Sequence, residues 1–237
     1  MSQPTPSDPV AQNLADQVAV PPPFVVGIIG GVASGKSCVT EMFQERGAQV
    51  ISADKIAHQV LREPAVVATL VERFGTEILE VPQTLDHPIA ASAPSIDRKK
   101  LGAIVFGDSE QNTSNRKALE AIVHPKIRQL GRQELARILA SKECKYVLLD
   151  VPLLIEGGWH SLCNKIIYID TPVTLRIQLA KTRGWTEEQL RQREAAQISL
   201  SEKRRHATDV LVNESNVDQL RANLSKIISR WDSMVAP

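Results

Sequence analysis

Gly30, Gly35, Lys36 and Ser37 stand at the spacing G-x-x-x-x-G-K-S inside FVVGIIGGVASGKSCV, residues 24–39. Each residue type answers a need of phosphate chemistry. The glycines allow backbone angles and a close approach that a Cβ would block. Consecutive N–H groups then point at a phosphate, at the positive end of the following helix. Lys36 can neutralise charge on the β- and γ-phosphates, and the Ser37 hydroxyl can ligate Mg²⁺. Four such fixed positions match by chance in about one chain of this length in a hundred. The context narrows it further, because an apolar run precedes the glycines and the amphipathic Val39, Met42, Phe43 and Arg46 follow. Nucleotide binding is the reading this stretch supports.

Two carboxylates lie where a phosphate loop needs acids. Asp54 follows the short apolar run AQVIS, residues 48–52, and Asp150 falls near the end of KYVLLDV, residues 145–151. Open α/β sheets place their active sites just past the carboxyl ends of strands. An acid at the end of the second run can orient an acceptor, although a helix N-cap explains Asp54 equally well. An acid at the end of the third can hold magnesium directly or through water, or simply cap the strand. His124 precedes Pro125 in a long helical pattern, and marks a helix break more simply than a catalytic base.

The elements that must position these groups follow from hydrophobic period. Further strands are predicted at residues 165–170 (KIIYID) and 209–213 (DVLVN), giving five in all. Helices are expected after the phosphate loop, around Ile56–Leu61, over Pro64–Phe74 closed by Gly75, and from Asp97 onward. A long one runs from Asp108 to Ser141, kinked or divided at Pro125, and an amphipathic one closes the chain at Val217–Trp231. Strands alternating with helices imply a mostly parallel sheet with right-handed crossovers. The predicted fold is α/β, a P-loop NTPase-type parallel sheet of about five strands flanked by helices. The helical stretch between the second and third strands, residues 53–142, exceeds a crossover and reads as a substrate-binding subdomain. Residues 80–95 carry three prolines, lose all period and include His87, so they read as a surface insertion. Residues 1–23, ending in three prolines, read as a flexible tail.

A basic stretch, with Arg176, Lys181, Arg183, Arg191, Arg193, Lys203, Arg204 and Arg205, spans residues 176–206. Interleaved acids make most of it a solvated helical face. Phosphoryl transfer also needs a cationic lid that excludes water, and period alone does not say which arginines face inward.

Bulk composition bounds the rest. A chain of 237 residues, 43% hydrophobic and 23% charged, is one soluble α/β domain of ordinary size. A net charge of +1 without a basic block gives no reason to expect nucleic acid as a partner. No apolar run reaches the length of a membrane helix, and the N-terminus lacks the pattern of a secretion signal. Cys38, Cys144 and Cys163, odd in number and without C-x-x-C spacing, fit a reduced cytoplasmic setting. A monomer is expected, with a weak oligomer as the alternative.

Taken together, the chain resembles the dephospho-coenzyme A kinases, from about Val25 to Ile228. The motifs that carry the likeness are GIIGGVASGKS, VISADKIAHQV, FG-x-x-IL at Phe74–Leu79, IDRKKL at residues 96–101 and VF at Val105. LEAIVHPKI at Leu119–Ile127, VPLLIE from Val151, and REAAQISLSEKRRHATDVLVN ending at Asn213 complete them. The resemblance implies transfer of the ATP γ-phosphoryl group to the ribose 3′-hydroxyl of dephospho-coenzyme A, giving coenzyme A and ADP, with ATP and Mg²⁺ required. It implies ATP binding by Gly31, Val32, Ala33, Ser34, Gly35, Lys36, Ser37 and Cys38, with Asn213 on the adenine side, and Mg²⁺ at Ser37 and Asp150. Asp54, Lys36 and Arg193 would be catalytic, with Gln197 in the same R-x-x-x-Q lid region. Asp54, His58, His124, Leu154 and Glu156 would face the acceptor.

The chain departs from that pattern in places. The usual D-A-D reads Ser52-Ala53-Asp54, which leaves Asp54 alone, and His58 replaces an arginine expected to touch substrate. Cys38 replaces a threonine, and Leu175 and Gln178 stand where Q-x-x-R is usual, with Arg176 and Arg183 the candidates to compensate. Two other readings compete: a P-loop kinase for a different small hydroxyl or a nucleoside monophosphate, and a nucleotide-responsive switch. The HPKI and PLLIE motifs oppose the first, and the lack of an N-K-x-D base-recognition motif weakens a GTPase form of the second.

Overall fold

The computed structural model describes residues 23–80, 94–107 and 109–234. The proline-rich tail, His87 and most of the 80–95 insertion lie outside the described residues. The insertion's base is closed, because Glu80 N–H donates to the Ser95 carbonyl at 3.0 Å and Leu79 bridges Ile96.

Five strands, β1 (Phe24–Gly30), β2 (Gln49–Ser52), β3 (Tyr146–Asp150), β4 (Lys165–Asp170) and β5 (Asp209–Val212), form one sheet. Their order is β2-β3-β1-β4-β5 and every pairing is parallel. The first strand in sequence is therefore central, and the loop that leaves it emerges at the middle of the carboxyl edge.

The helices are α1 (Lys36–Gln44), α2 (Ala53–Val60), α3 (Pro64–Phe74), α4 (Arg98–Val105) and α5 (Glu110–Ser141), followed by α6 (Val173–Lys181), α7 (Glu187–Ala195), α8 (Leu200–Arg205) and α9 (Val217–Ser233). The period of two along the strands decides which helices cover which face. Val25 and Ile29 of β1, with Val147 and Leu149 of β3, pack against apolar residues of α2, α3, α4 and α5. Val26 and Ile28, with Tyr146 and Leu148, face α1 and α9. A third, small cluster joins Val32 and Ala33 of the glycine loop to Ala180 of α6 and Leu190 of α7. That cluster fixes the basic segment over the loop.

The predicted strand limits hold to within one residue. Of the two outcomes expected at Pro125, division does not occur: α5 continues for 32 residues with Pro125 inside it. Proline removes one ladder donor, but buried Val123 and Ile127 anchor α5 to the core on either side of it, and tertiary packing overrides local propensity. Among the described residues no helix is long and apolar enough to cross a membrane.

Candidate active site

The loop from Gly30 to Ser37 takes its shape from three left-handed or unusual backbone positions. Gly30 has φ 155°, Gly35 φ 94° and Ala33 φ 59°. Gly35 is the N-cap of α1, and no side chain caps that helix, so its first N–H groups remain open to an anion. The loop is braced from behind. Thr171 Oγ1 and Asn213 Nδ2, at the ends of β4 and β5, donate to the Ser34 carbonyl at 2.9 and 3.1 Å. Ser34 Oγ is buried inside the loop without a hydrogen-bond partner among the described residues.

Lys36 curls back over the loop and donates to the carbonyls of Gly31 and Gly30 at 2.8 and 3.3 Å. Burial, then the charges of Lys203 and Arg183, push its pKa down to about 8. Its ammonium is thus held among cations whose charge a polyphosphate would offset. Ser37 is exposed at the first turn of α1, with Cys38 partly buried beside it.

Asp150 lies within electrostatic reach of Lys36, and Asp54 within reach of Asp150. Ser52 of β2 is the register partner of Asp150 at the end of β3, and Asp54 follows two residues later in the first turn of α2. Partial burial, then the Asp54 carboxylate, raise the pKa of Asp150, against the pull of Lys36 and Lys55. Two carboxylates opposite a phosphate loop, together with the Ser37 hydroxyl, are a donor set that suits Mg²⁺, which takes few protein ligands and completes its shell with phosphate and water. Among the described residues no group of three or more His, Cys, Asp or Glu forms a protein-only metal cage.

The structure also shows how the departures are accommodated. His58, exposed one turn after Asp54 on α2, is met by the guanidinium of Arg98 from α4. An arginine thus arrives from a different helix beside the position that lacks one. Arg176 does not reach outward to replace the missing lid arginine. It is 5% exposed, donates to the Thr171 carbonyl at 3.2 Å and pairs with Glu194. Glu194 in turn accepts from the Val32 N–H at 3.3 Å, so the pair ties α6 and α7 to the loop.

The remaining predicted residues separate. Arg193 lies with its guanidinium carbon 4.2 Å from the centre of the Trp185 ring, a cation–π contact within the basic segment. Gln197 accepts from Lys203. Glu156 accepts from the Ile198 N–H at 3.2 Å and links the segment that follows β3 to the segment before α8. Asn213, 7% exposed, reaches the loop through the Ser34 carbonyl. His124 is exposed on α5, and among the described residues no hydrogen bond joins it to the loop or the acids. Leu154 is 1% exposed and belongs to the core. Gly27 of β1 leaves the slot that it fills, since a Cβ there would lie 2.7 Å from Leu154 Cδ2. Its neighbour Leu153 is the exposed one.

Lys203 is the residue that sequence reasoning left unresolved among the basic side chains. It is 4% exposed and donates to the Gly30 carbonyl at 3.4 Å, beside Lys36. Burial and Arg176 lower its pKa, while Glu156 and Glu194 oppose them. The available signal was its spacing of three from Leu200 on α8, which puts both on one helical face.

Comparison with known proteins agrees with this geometry. The family model described as dephospho-CoA kinase matches residues 24–219. The chain is 38% identical over 220 residues to the dephospho-CoA kinase of Geobacillus kaustophilus, covering 89% of this chain and 98% of the relative. It is 36% identical over 207 residues to that of Lactobacillus johnsonii, covering 86% and 96%. The solved dephospho-CoA kinase from Campylobacter jejuni superposes with a TM-score of 0.62 at 28% identity, over 90% of this chain and 98% of that one. The phosphate loop, the two strand-end acids and a likeness that spans the described fold lead to one assignment: the chain belongs to the dephospho-CoA kinase family.

Proposed function

We propose that this protein transfers the γ-phosphoryl group of ATP to the ribose 3′-hydroxyl of dephospho-coenzyme A. The observation that carries the reading is Asp150, at the end of the strand beside the phosphate loop, lying within electrostatic reach of both Lys36 and Asp54. In this reading the open N–H groups of α1 and Lys36 hold the β- and γ-phosphates. Ser37 and Asp150 would hold Mg²⁺, which would supply neutralisation of the ATP phosphate charge. Asp54 accepts a hydrogen bond from the acceptor hydroxyl, orients its oxygen toward the γ-phosphorus and takes its proton as the new O–P bond forms and the γ-phosphorus–oxygen bond to ADP breaks. The chemistry asked of the protein is mainly positioning and charge neutralisation. Residues 53–142 serve as the acceptor side of the cleft and residues 176–206 as its lid, with Lys203 and Arg183 the inward cations. The protein acts as a soluble monomer in the cytoplasm.

The test is ADP release with ATP and Mg²⁺, with and without dephospho-coenzyme A, and the product identified by mass. Acceptor-dependent ADP formation with one phosphate added to the ribose is the expected result. Asp54→Asn should keep ATP binding and lower turnover by about 10²–10⁴-fold. ATP binding without acceptor-dependent turnover in the wild type would sink the reading.

A further inference from the structure

Next to the acid pair, on the adjoining face of α2, a groove of about 410 Å³ opens along the sheet edge. Val50 and Ile51 of β2 line it, with Ile56 and Gln59 of α2 and Leu130 and Gln133 of α5 across from them. Its size is that of an ordinary ligand cleft. β2 is the end strand and pairs with β3 alone, so its other edge is open. An open strand edge offers unpaired N–H and C=O groups, and the chemistry that suits it is an extended chain bearing amides.

Lys55 stands where the groove meets the reaction site. Helical geometry puts Asp54 and His58 on one face of α2 and Lys55 and Gln59 on the next. Lys55 lines the groove and is still close enough to act on the charge of Asp150. Among the described residues it has no ion-pair partner. Arg137, on the far wall, is already engaged by Glu134 at 2.7 and 2.9 Å.

We propose that this groove is the subsite for the acceptor's tail, the amide-bearing pantetheine arm that leaves the ribose through a diphosphate. The proposal rests on the function proposed above and extends it. The reacting 3′-hydroxyl and the 5′-diphosphate hang from one ribose, a few bonds apart. Asp54 and Lys55 are consecutive, with Cα atoms about 3.8 Å apart. With the hydroxyl at Asp54, the diphosphate falls to the free Lys55 ammonium. The arm then runs along β2, its amides against the open edge and its methyl groups against Ile56 and Leu130. Specificity for the long acceptor over a bare nucleotide follows from this groove rather than from the phosphate loop.

Gln59→Trp and Gln133→Trp test it from opposite walls. Both positions are exposed, so a bulky side chain there fills the groove without entering the core. Each variant should raise KM for dephospho-coenzyme A by about tenfold or more, with kcat and KM for ATP within about twofold, the pattern of lost ground-state binding. Free 4′-phosphopantetheine should compete with dephospho-coenzyme A in the wild type and lose that competition in both variants. An unchanged KM in two folded variants, or no competition in the wild type, overturns the subsite and leaves the kinase reading intact. An unchanged KM with a smaller assembly in gel filtration also overturns it, and gives the open edge to a second copy of the chain. Wild-type protein that turns over no dephospho-coenzyme A defeats the kinase reading itself, a result distinct from either.

Discussion

At the end of the sheet where β1 and β3 begin, Phe24, Phe43, Tyr146 and Trp231 gather with ring centres 5.7 to 6.5 Å apart. At the opposite end, where the same strands finish, Lys36, Lys203, Asp54 and Asp150 gather instead. The polar groups at the aromatic end are paired. Trp231 Nε1 and Thr208 Oγ1 donate to Asp209 at 3.0 and 2.8 Å, Arg230 joins them, and Tyr146 donates to Asp232. At the loop end the charges are only partly compensated: Lys36 and Lys203 are pushed down and Asp150 pushed up. Tyr146 is pushed up as well, but with Asp232 as its partner; displaced groups that meet like charges, as at the loop end, are the pattern of a functional site. One end of the sheet holds the fold and the other holds unbalanced charge that a bound nucleotide and metal would neutralise.

The sharpest way to break that comparison is Trp231→Ala, at a residue with no exposed surface. Loss of a buried aromatic of this size should cost about 3–5 kcal/mol, a fall in Tm of about 10 °C. KM for ATP should not change. A turnover loss beyond the unfolded fraction, measured by thermal scans beside kinetics, would mean the two ends are coupled.

Lys36→Ala inverts the expectation. It should lower kcat/KM by about 10²–10³-fold and leave Tm nearly unchanged, since Lys36 bonds only to its own loop. Unaltered kinetics would remove the loop from the site. Asp209→Ala returns to the aromatic end with a smaller effect. It leaves the Trp231 N–H buried and unpaired, at about 1–3 kcal/mol, and denaturant melts of the variant should show it without a change in KM for ATP.

The smallest effect is a proton. Lys36 sits at about 8 in the free protein, below its ordinary 10.5. The unfolded chain therefore binds more protons between these values, so the stability lost to this burial is recovered as pH rises through that window. A phosphate beside Lys36 favours its charged form, so ATP binding above pH 8 should take up a proton. Calorimetry in buffers of different ionisation heats reads it directly. Its absence in wild type, or its persistence in Lys36→Ala, would show that another group carries the linkage.

Much of this was legible in the chain. The phosphate loop is contiguous, and its chemistry is written in Gly30, Gly35, Lys36 and Ser37. Alternating burial made the five strands readable, and the places of Asp54 and Asp150 at strand ends singled them out as candidates. The inward cations were not legible in the same way. Arg176 and Arg193 look alike in sequence, yet one is buried under the loop and the other lies on Trp185. The difference depends on how α6 and α7 pack on Val32 and Ala33, which local period does not contain.

The amino-acid sequence by itself determined the phosphate loop, the alternation of strands and helices, and the class of chemistry. Those rest on interactions between residues near in sequence, or on the periods of two and 3.6 that set a face. Tertiary structure decided the strand order, the meeting of Arg98 with His58, the burial of Leu154 over Gly27 and the passage of α5 through Pro125. It also brought Lys203 to a carbonyl 173 residues away. Each is a long-range contact, fixed when the sheet and its two helical layers close on one another, and a local pattern carries no record of its partner.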